Sequence, residues 1–147
     1  MRPHPIVTAL GLSILMWFGI VACIVNLVGC QTVPSKPVYD TVVEVTTADF
    51  ADQAAEYDVT VVVFGAPWCH WCNVLEPKMD ALAKRYAGQI KILHYNTDKN
   101  DPKKIGYVVE GIPFVVVRKA GIDVFADNLQ DMDQVDRIVD SLMMGQQ

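Results

Sequence analysis

Thr60-Val61-Val62-Val63-Phe64-Gly65-Ala66-Pro67-Trp68-Cys69-His70-Trp71-Cys72 is the stretch on which the rest of the chain depends. Its first five residues form a near-continuous β-branched run, as in a central strand covered on both faces. A helical pattern follows from Asn73 to Ala87. Two cysteines thus sit where a strand ends in a short turn and a helix begins. The first backbone N–H groups of a helix are unpaired and carry partial positive charge. A thiolate placed there is stabilised, and its pKa falls from about 8.5 toward about 7 or lower. Cys69 is therefore predicted as the exposed nucleophile. Cys72, one turn deeper, can attack a mixed disulfide formed at Cys69. A C-x-x-C pair in this context reads as a thiol–disulfide redox site.

The chain has 147 residues, enough for one domain of ordinary size. Its 52% hydrophobic content is unevenly spread: residues 6–29 hold a dense apolar block, and the remainder has an ordinary domain composition. Net charge is −5, and −6 without residues 1–29, whose one charged side chain is Arg2. Such an acidic domain is a poor candidate for nucleic-acid binding, which needs Lys and Arg for phosphate contacts. Four cysteines are too few for a disulfide scaffold.

Residues 1–29 read as an address. Met1-Arg2-Pro3-His4-Pro5 is a weakly positive start, and Ile6 to Gly29 is apolar apart from Thr8, Ser13 and Asn26. The run exceeds a secretory core of about 7–15 residues and could span a bilayer, which needs about 20. Its end, Leu27-Val28-Gly29-Cys30, resembles the bacterial lipoprotein signal, a small residue before a lipidated cysteine. That resemblance implies a mature chain beginning at Cys30 and anchored by its acyl chains. The alternative is an uncleaved transmembrane anchor. Arg2 favours an inside N-terminus under either reading. The domain is then expected in the bacterial cell envelope, facing the periplasm or another extracytoplasmic space. Residues 30–40, with Pro34 and Pro37, read as a tether, and residues 41–147 as the folded domain.

Within that domain, residues 41–45 predict a first strand. A helix is expected over 48–57, with Thr47 as N-cap and Asp49 in its first turn. Leu75, Met79, Leu82 and Tyr86 make one apolar stripe on the cysteine-bearing helix. Pro77 should kink that helix, and Gly88 should end it. Residues 90–96 predict a strand, and Asp101-Pro102 opens a short helical piece to about Tyr107. Strands follow at 115–117 and 122–126, with Gly121 in the turn between them. Asp131 and Gln134 make a capping-box pattern for a last helix that carries Met132, Val135, Val139 and Leu142 on one face. The order of elements makes an α/β sandwich.

These residues resemble the thioredoxin family. The resemblance is carried by Phe64 to Cys72 with Pro77, by Asn96-Thr97-Asp98, by Gly111-Ile112-Pro113-Phe114 and by Gly121. It extends over about residues 41–144 without gaps between these landmarks. It implies a central mixed β-sheet flanked by helices on both faces. It also implies a cis Ile112–Pro113 bond, with Pro113 facing the cysteines and holding substrate backbone. Trp68, His70, Trp71, Ile112 and Pro113 are the candidate client-contacting residues. For Trp68 the alternative is packing. His70 either lowers the Cys69 pKa as a cation or points to solvent.

The chain departs from the family in its proton chemistry. The family's buried aspartate corresponds to Val63 and its nearby lysine to His94, and His-Trp stands between the cysteines in place of Gly-Pro. His94 is predicted to act as general base for Cys72; the alternative is a packed histidine with solvent taking the proton. Three functions compete. The first is an anchored thiol–disulfide oxidoreductase acting on protein disulfides, leaving Cys69–Cys72 oxidised. It would need no cofactor and would draw electrons from a membrane thiol carrier. No inserted helical domain of the periplasmic oxidants fits, which favours reduction; cytochrome c maturation or protein repair are outlets by analogy. The second is a non-catalytic binding module. The third is a copper or zinc chaperone, although a structural zinc site wants four ligands.

Overall fold

The β-branched run becomes the middle of the sheet. The computed structural model describes residues 41–145. The address at 1–29, the tether at 30–40 and the lipidation residue Cys30 lie outside the described residues. Strand β2 (Val59–Gly65) is buried along its whole length. It pairs in parallel with β3 (Ile90–Asn96), which pairs in parallel with β1 (Val43–Val45). On its other side β2 pairs antiparallel with β4 (Phe114–Lys119), and β4 antiparallel with β5 (Ile122–Asn128). The order β1-β3-β2-β4-β5 makes the mixed five-stranded sheet that the resemblance implies. The β4–β5 turn is Ala120-Gly121, both with positive φ (51° and 79°), the backbone of a two-residue hairpin turn.

Alternation along each strand divides the core in two. Val61 and Val63 of β2, with Ile90 and Ile92 of β3, face α2 (His70–Arg85) and α3 (Asp133–Met144). The stripe Leu75, Met79 and Leu82 packs there, with Tyr86 at its edge, beside Met132, Val135 and Val139. A fully buried Leu or Val contributes roughly 1.5–3 kcal/mol by leaving water. On the other face Val62, Phe64, Leu93 and Tyr95 pack against Phe50 and Ala54 of α1 (Phe50–Ala55). Helices thus cover both faces. Lys91 is fully buried on this side and is met by Glu56 and by Gln53 at 2.7 Å.

Several boundaries differ from expectation. The first helix starts at Phe50, not 48, and Thr47 does not cap it. Asp49 holds the N-cap position, where its carboxylate accepts the Thr46 N–H at 2.6 Å and the Thr46 hydroxyl at 2.8 Å. Thr47 turns inward, with its hydroxyl 2.7 Å from that of Tyr95. The predicted capping box is also replaced: Met132 is the N-cap, and Asp131 pairs with Lys78 of α2 while accepting the Asp133 N–H at 3.3 Å. The Asp131 carboxylate thus serves the helix start and a cross-helix ion pair at once. The piece after Asp101-Pro102 is a single 3-10 turn, Pro102–Ile105, closed by Gly106 at φ 89°. Helix α2 begins at His70, and Pro77 lies inside it. Strands β4 and β5 are longer than predicted, because β4 continues to pair with β2 through Lys119 and β5 with β4 through Asn128. Among the described residues no helix is long and apolar enough to cross a membrane.

Candidate active site

Helix α2 starts immediately after Cys69, so the sulfur of Cys69 occupies the N-cap. It accepts the backbone N–H of Cys72 at 3.1 Å. A cap position normally presents an oxygen to the first unpaired amides. Here a sulfur takes that place, and a thiolate there would gain both the N–H and the helix-terminal charge. The turn is held by Cys69 N–H to Ala66 carbonyl at 3.0 Å and Asn73 N–H to Cys69 carbonyl at 3.2 Å. Cys69 and Cys72 form a disulfide, S–S 2.14 Å with Cα atoms 5.2 Å apart. Both are buried, at 5% and 6% exposure. Cys69 is therefore not the exposed member predicted. What distinguishes the two sulfurs is the helix amide, not access.

The register Phe64↔Phe114 sets Pro113 beside the end of β2, where the cysteine turn departs. Ile112–Pro113 is cis, as the resemblance implies, and Pro113 is buried while Ile112 is half-buried. The Asn128 amide at the end of β5 donates to the Gly111 carbonyl at 2.6 Å and to the Pro113 carbonyl at 3.3 Å. The Leu129 N–H also donates to the Pro113 carbonyl, at 3.2 Å. The hairpin thus ties down the proline loop from one side. Sequence reasoning attached no role to Asn128, because the bond joins residues fifteen or more positions apart.

Trp68 is 71% exposed, and its indole N–H donates to Asp98 at 3.0 Å. It forms a rim rather than packing into the core. Trp71 is 46% exposed, with the exposed His70 ring edge-on to it at 5.4 Å between centroids. Val74, three residues after Trp71 in the same helix, is also exposed. Asp98 was singled out only as part of the Asn96-Thr97-Asp98 landmark; its hold on Trp68 crosses thirty residues.

Behind the disulfide, Val63, Gly65 and His94 lie on the face of the sheet that carries α2, because Val63 pairs with His94 and positions alternate. An added Cβ at Gly65 would sit 3.0 Å from His94 Nε2 and 3.2 Å from Cys72 Sγ. Only glycine leaves room for the imidazole and the sulfur to converge. A cleft of ≈ 450 Å³ opens here, lined by Glu44, Val63, Cys72, Glu76, Asp80 and His94. Burial lowers the His94 pKa from the ordinary histidine value; Glu44 and Glu76 push it back up, and Lys99 adds to the lowering. His94 is thus mostly neutral at neutral pH. No cluster of three or more His, Cys, Asp or Glu suited to a metal ion occurs among the described residues.

Comparison with known proteins agrees with this geometry. The family model Thioredoxin matches residues 41–143. Thioredoxin 1 of a Nostoc species is 37% identical over 79 residues, covering 53% of this chain and 74% of that protein. Staphylococcus aureus thioredoxin is 39% identical over 80 residues, covering 54% of this chain and 76% of its own. A mutant thioredoxin from Halobacterium salinarum superposes with a TM-score of 0.64 at 27% identity, covering 71% of this chain and 93% of that one.

Proposed function

From the premise that this chain belongs to the thioredoxin family, and is a thiol–disulfide oxidoreductase, we propose that it works outside the cytoplasm, held to a bacterial membrane by residues 1–30, and reduces protein disulfides. The observation that carries the chemistry is the Cys69–Cys72 disulfide at the start of α2, with the cis Pro113 loop at the adjoining strand end. In the reducing direction the Cys69 thiolate attacks one sulfur of a client disulfide. A Cys69–client disulfide forms, and the other client sulfur leaves as a thiolate and is protonated. Cys72 then loses its proton and attacks Cys69 Sγ. The second client thiolate leaves, the client has gained two electrons, and Cys69–Cys72 is a disulfide again. The apolar rim of Trp68, Trp71 and Val74 would hold the client, with Pro113 and Ile112 beside its backbone and His70 at the edge.

Direction is supported by the continuity of the domain: a single 3-10 turn is the only helix between β3 and β4, with no inserted helical domain. A reductase in that compartment needs electrons, and a membrane thiol carrier is the donor class that fits. The test is insulin reduction by the full chain, together with its reduction potential. A potential near the thioredoxin value of about −270 mV is expected; one near about −120 mV, without insulin reduction, would mean the site runs as an oxidant.

Location is supported by the apolar run Ile6 to Gly29, by Arg2 before it and by Leu27-Val28-Gly29-Cys30 at its end. Replacement of Cys30 by Ala is expected to leave an unprocessed, unlipidated precursor, read by intact-mass spectrometry of the membrane fraction. Wild-type protein that retains Met1 and carries an unmodified Cys30 would sink the lipoprotein reading and leave the transmembrane anchor.

A further inference from the structure

The cleft behind the disulfide contains chemistry that client binding does not use. Clients meet the Trp68–Trp71 rim, whereas the cleft reaches Cys72 from the α2 face of the sheet. At its inner end, His94 Nε2 and Cys72 Sγ lie 3.0 Å and 3.2 Å from where a Cβ on Gly65 would stand, closer than van der Waals contact would allow such an atom. That spacing is within reach of a direct contact or of one bridging water. Strand β2 brings no carboxylate at this depth, since His94 pairs there with the fully buried Val63; on the other side its register partner on β1 is Glu44. The other charged groups lining the cleft are Glu44 from β1, Glu76 and Asp80 from α2, and Lys99 after β3. Lys99 is engaged with Glu44 at 3.0 Å. The imidazole is the base that converges with the sulfur on the Gly65 position, with the carboxylate of Glu44 paired beside it on β1.

We propose that His94 is the proton acceptor for Cys72 and that the cleft drains the proton to solvent, so that release of the client is gated by external pH. The proposal rests on the oxidoreductase reading above and deepens it. In the mixed-disulfide state Cys72 is a thiol. Its proton passes to His94 Nε2, directly or through a water, as the Cys72 sulfur attacks Cys69 Sγ. The Cys69–client bond breaks, and the client thiolate leaves with the electron pair. The imidazolium then gives its proton to water in the cleft. The sign of the pH effect follows. Above its pKa, His94 is neutral and accepts; as pH falls through that pKa, it holds a proton of its own and the mixed disulfide persists. Burial places that inflection below the histidine reference of about 6.5.

The test uses the reduced full chain in stopped flow with dithiobis(nitrobenzoate), an aromatic disulfide whose released thiolate absorbs visible light. The first phase reports attack by Cys69, and the second reports resolution by Cys72. In wild type the second phase should level off above the inflection and fall about tenfold per pH unit below it, as the fraction of neutral base does. In His94→Gln the plateau should vanish. The rate at pH 7 should then drop at least tenfold, toward the lower end of the usual general-base range of about 10²–10⁴, while the first phase is unchanged. In His94→Gly, added imidazole should enter the cleft and restore the second phase in proportion to its concentration. A second phase with the same rate and profile in wild type and His94→Gln overturns the proposal. An equal loss in both phases does so too, since it would make His94 a support for the helix start only. Absence of the first phase in wild type would instead sink the oxidoreductase reading, and this proposal with it.

Discussion

Replacing Cys72 by Ser is expected to yield a protein that attacks client disulfides and cannot release them. The difference between the two sulfurs is electrostatic. Cys69 Sγ sits at the N-cap of α2 and already accepts the Cys72 N–H at 3.1 Å. On reduction that donor and the unpaired amides of the first turn stabilise its thiolate, and each unit of pKa depression corresponds to about 1.4 kcal/mol. Cys72 lies inside the helix beside Gly65 and His94 and is as buried as Cys69, so burial disfavours both thiolates and the N-cap amide offsets it at Cys69 alone. Both single substitutions should take insulin reduction to background, because each removes one of the two sulfurs that complete the cycle. They should differ in what accumulates. Cys72→Ser should gather mixed disulfides with clients, seen as thiol-sensitive bands on non-reducing gels, and Cys69→Ser should gather none. In the reduced wild type, Cys69 should be alkylated severalfold to tenfold faster than Cys72 at pH 7; the margin is modest because a lower pKa also makes a weaker nucleophile. Equal trapping by Cys69→Ser would reverse the assignment.

Phe64→Ala is expected to cost about 3–5 kcal/mol, the range for deleting a buried aromatic ring. Phe64 is fully buried in β2, one residue before Gly65 ends the strand. Its ring lies 5.1 Å from Tyr107, 5.3 Å from Tyr95 and 5.9 Å from Phe114 between centroids. This cluster fills the space beneath the loop that leads to Pro113. The neighbouring rings are expected to relax only partly into the void, so a cavity adds to the loss. Against a typical domain stability of about 5–15 kcal/mol, such a loss leaves little margin. Phe64→Leu keeps most of the volume and should cost under about 1.5 kcal/mol. Urea denaturation of the variants reads both. An Ala variant within about 1 kcal/mol of wild type would mean that the cluster repacks and does not hold the site up.

Much of the site was legible because its signals are local. Cys69 and Cys72 are three residues apart, after a β-branched run and before an i, i+3, i+4 stripe. Those patterns report strand, turn and helix within one continuous stretch, residues 60–86. Gly111-Ile112-Pro113-Phe114 was recognised through resemblance, not through any physical necessity for a cis bond. Thr47 and Asp131 are good capping residues locally, but each also meets a distant partner, Tyr95 in one case and Lys78 in the other, and the N-cap positions fall on Asp49 and Met132. The expectation of an exposed Cys69 rests on helix starts being usually open, whereas here the residue at the helix start is buried.

By itself the sequence determined the strand and helix types, the acidic balance, the apolar N-terminal block and the presence of a redox-competent cysteine pair. Each follows from periodicity or spacing over a few residues, which the backbone reads out before any long-range contact exists. Only the tertiary structure decided which strands are neighbours, and with that everything that meets across them. The β2–β3 register brings His94 to the level of Val63 and Gly65, opposite Cys72. The β2–β4 register sets Pro113 beside the cysteine turn, and Asn128 closes on its loop from β5. Asp98 takes the Trp68 indole from thirty residues away. Such meetings have no local signature. They are settled by which pairing of strands buries both apolar faces at once, a property of the whole sheet and not of any segment in it.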